Sequence, residues 1–232
     1  MRELVSYNLE DSIATIAMDD GKANVFSLEM LSQINTALDR AAADRAVVVL
    51  TGREGIFSGG FDLRALGTGG TTAASMVTAG FELAERVLSF PMPVVIACNG
   101  HAIAMGVFLL LSGDYRIGVA GPYKIVANEV AIGLTMPRTA VEICRQRLAP
   151  AHFHRAVILS EVYSPDDAAA AGFLDRVTSG SDLLTEARTT ALGLRKLNMD
   201  AHTATKLRAR DHALRAIRAA IESDQAALQP IA

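Results

Sequence analysis

Cysteine is scarce in this chain: Cys98 and Cys144 are its two, each set in apolar sequence. A pair so spaced makes neither a disulfide framework nor a metal cluster, and both thiols read as free and buried. No sign of charge dominates either. With 22 basic and 25 acidic residues the net charge is −3 and the pI near 6.0, which removes any general electrostatic reason to bind nucleic acid or an anionic membrane surface. The first dozen residues, MRELVSYNLEDS, carry charges where a signal peptide needs its apolar segment, so the cytoplasm or an equivalent reducing compartment is expected.

Several chemistry-bearing patterns are missing as well. Gly67-Thr68-Gly69-Gly70 is followed by no Lys-Ser or Lys-Thr, and no GxGxxG is present, so a phosphate loop is excluded and a mobile loop expected. No GxSxG elbow occurs, and Ser58 has no evident partner base. His152 and His154 form a pair without a third ligand nearby in sequence, so no metal site is assigned. There is no internal repeat and no Gly/Ser/Pro-rich linker.

What the chain does have is apolar material, half of its 232 residues, which suffices for one large core or one domain with a helical appendage. From Val87 to Gly113 there is no Asp, Glu, Lys or Arg. The run from Pro93 to Leu111 approaches the length of a membrane span, but Asn99, Gly100, His101 and Gly106 interrupt it, so a buried strand, a glycine turn and a buried helix fit better. A helix starting near Met105 aims its first unpaired N–H groups and positive dipole end at whatever lies there, and developing negative charge is the natural guest.

A second strand-turn-helix lies upstream, where Ala46–Gly52 leads through Phe57-Ser58-Gly59-Gly60-Phe61-Asp62-Leu63. Two such turns offer two backbone donors. Converging on one oxygen they would form an oxyanion hole, worth roughly 3 kcal/mol per donor.

The rest of the chain fits an α/β protein. Val5–Leu9 and Ser12–Met18 alternate like half-buried strands and predict a hairpin closed by an Asp19–Lys22 turn. Ser27 caps a helix with Leu28, Leu31, Ile34 and Leu38 on its buried stripe, running to about Ala43. A further helix spans about Thr72 to Ser89, strands follow at Val94–Cys98, Tyr115–Val119 and Tyr123–Val126, and alternation of strand and helix implies right-handed crossovers in a mainly parallel sheet. From Pro137 onward the pattern is almost wholly helical, with Ser164-Pro165 as a start and Gly172 as a stop. The last helix carries Leu207, Leu214, Ile217 and Ile221 on one face and Arg208, Arg210, Arg215 and Arg218 elsewhere. The expected division is an α/β core over residues 1–150 and a helical lobe over 151–232.

Four segments, FSGGFDL, NGHAIAMG, NEVAIGLTMP and AAAAGFLDRV, stand in an order and spacing that resembles the crotonase superfamily, the enoyl-CoA hydratase/isomerase family, over essentially the whole chain. The resemblance implies a core of repeated ββα units, a C-terminal helical trimerisation lobe, a homotrimer or dimer of trimers, and an acyl-CoA thioester substrate with no separate cofactor or metal. It also assigns residues. The oxyanion donors fall on Phe61 and on Met105, the middle of Ala104-Met105-Gly106; the flanking Gly60, Asp62 and Leu63 line the substrate, and Ala23 lies near the coenzyme A moiety.

Hydratases of the family carry two glutamates, one of them three residues past the second oxyanion residue. Here that position is Phe108, so Glu129 stands alone. A single carboxylate suits a 1,3 proton shift, whereas syn hydration gains from two groups that hold water. The expectation is therefore isomerisation of a 3-enoyl-CoA to a 2-enoyl-CoA, with Glu129 as base and then acid, made easier to protonate by the apolar Phe108 ring. Hydration, or acyl-CoA binding without catalysis, is the alternative. Asp62 and Asp114 read as structural, as does His101; Lys206 and Arg210 are candidates for coenzyme A phosphates of a neighbouring subunit.

Overall fold

In the computed structural model, which describes residues 2–228, nine strands and nine α-helices alternate in an arrangement set by paired strands. The chain opens with a hairpin, β1 (Val5–Glu10) and β2 (Ile13–Met18), turned by Asp11 and Ser12, both at positive φ. Helix α1 (Leu28–Ala43) follows, with the Ser27 hydroxyl accepting from Met30 N–H as the sequence predicts. Then come β3 (Val47–Thr51) and β4 (Gly55–Ser58), α2 (Leu63–Thr68) and α3 (Gly70–Ser89), β5 (Val94–Cys98) and β6 (Gly100–Ile103), α4 (Met105–Ser112), β7 (Tyr115–Val119) and β8 (Ile125–Val126).

In each of the pairs β3/β4, β5/β6 and β7/β8 the first strand joins one sheet and the second joins another. The larger sheet runs β1-β2-β3-β5-β7-β9, parallel except for the β1-β2 hairpin, where β9 is Arg176–Thr178; the smaller one is β4-β6-β8, all parallel. Every residue of β3 and β5 is buried, because both faces of the large sheet are covered. One face carries Ile13, Val47, Val49, Val95 and Ile117 against Leu183, Ala187 and Ala191 of α8 (Leu183–Leu194), and the other packs on α1, α3 and α4. Continuous apolar strands are what such double cover requires.

Three local readings change. The glycine turn after Asn99 is instead a strand, β6, pairing on both sides. The Gly67–Gly70 stretch is mostly helical: α2 runs through Thr68, and Gly69 at φ +63° breaks the chain into α3. The second half is not wholly helical, since β9 extends the large sheet; three residues are too few for an alternation to register.

The C-terminal half holds α5 (Arg138–Arg145), α6 (Pro150–Leu159), α7 (Pro165–Ala171), α8 and the long α9 (Met199–Leu228). Ser164 caps α7, and Gly172 ends it in the left-handed region. Along α9, Leu214 and Ile217 are buried, but Leu207 is exposed and Lys206 is the buried neighbour. Among the described residues no helix is long and apolar enough to cross a membrane.

Candidate active site

The small sheet gathers the motif segments. In β4 and β6, Gly55 pairs with Gly100 and Ile56 with His101; after a bulge Ser58 pairs with Ala102. In β6 and β8, Ala102 pairs with Ile125 and Ile103 with Val126. Parallel strands deliver their continuations at one end, so residues 59–61, 104–105 and 127–129 emerge side by side, at the carboxyl edge where open α/β sheets bind ligands.

Gly60 sits at φ +92° with its bare Cα against the next segment: a Cβ there would stand 2.9 Å from Ala104 Cβ and 3.5 Å from the Met105 nitrogen. Only glycine permits that approach. Phe61 forms a parallel bridge with Phe26 in which Phe26 N–H donates to Gly60 O and Asp62 N–H to Phe26 O, which leaves the N–H of Phe61 itself outside the ladder. Met105 opens α4, so its N–H has no acceptor within the helix. The preceding Ala104 holds φ +50° and ψ −123°, a strained setting for a residue with a Cβ. Among the described residues neither the Phe61 nor the Met105 N–H has an acceptor.

These segments border a cavity of about 770 Å³. Phe61, Leu63, Leu66, Val77, Phe81 and Phe108 form its apolar wall, with Ile103 and Ala104 beside them; Asn128, Glu129 and the 132–138 segment face them, and Asp224 and Ala227 of α9 complete the lining. Phe61 meets Phe81 edge to face and Phe81 lies tilted against Phe108, with ring centroids 6.2 and 6.0 Å apart.

Glu129 precedes a 3₁₀ turn, Val130–Ile132, yet makes no capping hydrogen bond. It is 7% exposed, its Oε2 has no partner among the described residues, and burial pushes its pKa up to about 7 against a small opposing contribution from its own N–H. Burial, and after it the charge of Glu129, also raises the Cys144 thiol on α5. Both cysteines are free and buried. The other carboxylate in the lining is committed: Asp224 accepts from the main-chain N–H groups of Arg138 and Thr139 and from the Thr139 hydroxyl.

Of the residues singled out by sequence, Phe61, Leu63, Phe108 and Glu129 line the cavity. Gly60 and Met105 are buried immediately behind it. Asp62 caps α2 through Arg64 N–H. Ala23 lies behind Gly59, whose N–H donates to Ala23 O. Ser58 is structural, donating to Asn24 O and accepting from Gly60 N–H. His101 Nδ1 accepts from Lys124 N–H, as a structural histidine does.

Lys206 and Arg210 are not on a solvated face. Lys206 donates to Phe90 O, Met92 O and Asp114 Oδ2, which uses all three ammonium protons, and Arg210 pairs with Asp114 Oδ1 and donates to Leu88 O. They tie α9 to the core and have no donors to spare in Lys206 for a phosphate.

Sequence reasoning missed most of the opposite wall. Asn128 had a signal, its place beside Glu129. Asp224 and Ala227, some ninety residues on, had none.

The family profile for enoyl-CoA hydratase/isomerase matches residues 8–230. A crystal structure of an enoyl-CoA hydratase/isomerase family protein from Pseudomonas syringae is 48% identical and superposes with a TM-score of 0.95, covering 97% of this chain and 98% of that one. The enoyl-CoA isomerase of Mycobacterium tuberculosis, in its apo form, is 47% identical with a TM-score of 0.94 over 97% of this chain and 99% of that one. Mouse mitochondrial enoyl-CoA delta isomerase 1 is 29% identical over 192 residues, which is 81% of this chain but 66% of the mouse protein. The profile match across nearly the whole sequence, together with shared folds at close to half identity, places the chain in the enoyl-CoA hydratase/isomerase family of the crotonase superfamily.

Proposed function

We propose that the protein moves the double bond of a 3-enoyl-CoA to position 2. One observation carries the reading: Glu129 is a buried carboxyl group whose Oε2 has no hydrogen-bond partner among the described residues, in a cavity where position 108 is a phenylalanine and the other carboxylate, Asp224, is already engaged.

The thioester oxygen lies between the N–H groups of Phe61 and Met105. Glu129, ionised, removes a proton from C2, and the electron pair passes into the thioester, whose oxygen gains the charge that the two amides stabilise. The protonated Glu129 then returns the proton at C4, leaving the double bond between C2 and C3. No atom is gained or lost, and the carboxylate is restored. A pKa near 7 suits a group that must first take and then give a proton at neutral pH. The phenyl wall excludes water that would otherwise compete for the intermediate. Coenzyme A enters as part of the substrate, along Ala23 and Gly59, with Gly60, Asp62 and Leu63 shaping the passage.

The relatives support both chemistries of the family: the mouse protein is named an isomerase, the Mycobacterium tuberculosis protein is named both an isomerase and a probable hydratase, and a bacterial relative at 27% identity is named a carnitinyl-CoA dehydratase. Incubation with trans-3-hexenoyl-CoA and, separately, crotonyl-CoA decides between them. A shift of the former with negligible hydration of the latter is expected; hydration on the order of 10 per second with no double-bond shift would overturn the reading.

The family's trimeric assembly is supported by Ile158, Leu159 and Val162, which are exposed around the end of α6. The division into a 1–150 core and a 151–232 lobe then assigns catalysis to the first and assembly to the second, with α9 lending Asp224 to the cavity. Light scattering on the purified protein tests the assembly.

A further inference from the structure

Ser58 ends β4 wholly buried, and it lines no part of the cavity. Its hydroxyl has two partners from different parts of the chain: it donates to Asn24 O at 2.7 Å and accepts from Gly60 N–H at 3.1 Å. The second bond is the local turn that a serine commonly makes with the N–H two residues on. The first is not local, since Asn24 lies 34 residues away. Asn24 is itself fixed, buried at φ +49° with its side-chain amide donating to Met18 O and accepting from Asp20 N–H. The Ser58 hydroxyl therefore ties the turn at 58–60 to a fixed point beside the end of β2. Neither Asn24 O nor Gly60 N–H has another partner among the described residues.

The same residue meets the helix of the second donor. A Cβ on Gly106 would stand 2.7 Å from Ser58 O and 3.0 Å from Ser58 Cβ, so the first turn of α4 packs directly on Ser58. Gly106 follows Met105, and Phe61 follows Gly60. Ser58 thus touches the immediate neighbour of each oxyanion donor, Gly60 by a hydrogen bond and Gly106 by close main-chain approach. We propose that Ser58 is a positioning residue for the oxyanion site, its hydroxyl holding the turn that carries Phe61 N–H in register with the helix start that carries Met105 N–H. The proposal rests on the acyl-CoA reading and deepens it. Two donors stabilise one oxygen only while both point at it, and misplacement by about 1 Å is costly in rate. Without the hydroxyl, Gly60 N–H and Asn24 O lose their partner, and the turn relaxes away from α4.

The test compares wild-type protein with Ser58→Ala in three measurements: steady-state kinetics with trans-3-hexenoyl-CoA, the infrared carbonyl stretch of bound hexanoyl-CoA carrying carbon-13 at the thioester carbon, and thermal unfolding. Hydrogen bonds to a carbonyl oxygen weaken its double bond, and preformed donors in a desolvated site do so more than water. In wild type the bound stretch should therefore lie below that of the free ligand. In Ser58→Ala it should move back toward the free value, with kcat about tenfold lower and KM changed by less than about twofold, because the donors act on the transition state more than on the ground state. A serine that served the fold alone would lower the unfolding temperature on substitution and leave stretch and kcat in place. That result overturns the proposal, as does a rise in KM at unchanged kcat. Should alanine prevent folding, Ser58→Cys, close in shape and weaker in hydrogen bonding, takes its place with the same expectations at smaller size. Wild-type protein that leaves the bound stretch at its free value would remove the oxyanion reading itself, whereas a wild-type displacement that the variant retains removes only the role of Ser58.

Discussion

The ring of Phe61 lies across the bare Cα of Gly80: a Cβ built on Gly80 would stand 2.4 Å from Phe61 Cε1 and 2.6 Å from Cζ. Helix α3 thus gives up a side chain one residue before Phe81 so that the residue bearing one proposed oxyanion donor can settle against it. The Gly80→Ala variant cannot keep the ring where it is. The far end of the ring must turn aside about its side-chain bonds, within the cavity that Phe61 lines and the acyl chain is proposed to fill. The expected result is a rise in KM of about tenfold, the scale of roughly 1.4 kcal/mol of lost binding, with a smaller change in kcat. Steady-state kinetics of Gly80→Ala checks this, and adding Phe61→Leu, which shortens the obstructing side chain, should restore part of the loss.

Glu129 must be ionised to remove the first proton. Its pKa is raised by burial to about 7, so kcat/KM should increase with pH and level off above about 7. A pH profile from 5 to 9 with a 3-enoyl-CoA is the measurement. A profile flat down to pH 5 would remove Glu129 as the base.

The same shift fixes the sign of a stability effect. Glu129 binds its proton more tightly folded than unfolded, so folding loses stability as pH rises from the unfolded pKa near 4.5 to the folded one near 7, and the loss is complete above that. At full extent it is about 3 kcal/mol. Glu129→Gln, neutral and of the same shape, should therefore be more stable than wild type at pH 8 and equal to it near pH 4.5, while binding acyl-CoA and turning over none. Urea unfolding at the two pH values, beside an activity assay, tests all three expectations.

Asp114 holds two cations, the buried Lys206 at 2.6 Å and the part-buried Arg210 at 2.9 Å, and also accepts from Val94 N–H at the start of β5. Desolvation lowers the Lys206 pKa while Asp114 raises it, and desolvation is the larger effect. Removing the carboxylate leaves the buried Lys206 and the part-buried Arg210 without a counter-ion. Asp114→Ala should cost about 3–5 kcal/mol by urea unfolding at pH 7. Arg218→Ala, which breaks an exposed pair with Glu85, should cost under about 1 kcal/mol.

Much of this molecule was legible as local pattern. The β1-β2 hairpin, α1 from its Ser27 cap, the β5 strand, α4 from Met105, and the Ser164 and Gly172 ends of α7 all follow from side-chain periodicity and capping chemistry, which depend on neighbours a few residues apart. Where pattern failed, the element was too short or too apolar to announce itself. β6 is four residues directly after β5, and a continuous apolar run does not say where one sheet is left and another joined.

The site divides in the same way. Sequence alone determined that the chain is an α/β protein, that Glu129 stands without a second glutamate at 108, and that Phe61 and Met105 each precede or open a helix, because these are facts of residue identity and short-range order. Tertiary structure decided that the three segments meet, because that depends on parallel pairing of β4, β6 and β8, whose partners lie 23 to 45 residues apart. It decided equally that Lys206 and Arg210 face Asp114 rather than solvent, and that Asp224 reaches the cavity from the far end of α9. A helical repeat shows which residues share a face, but what that face meets is set by the packing of the whole chain.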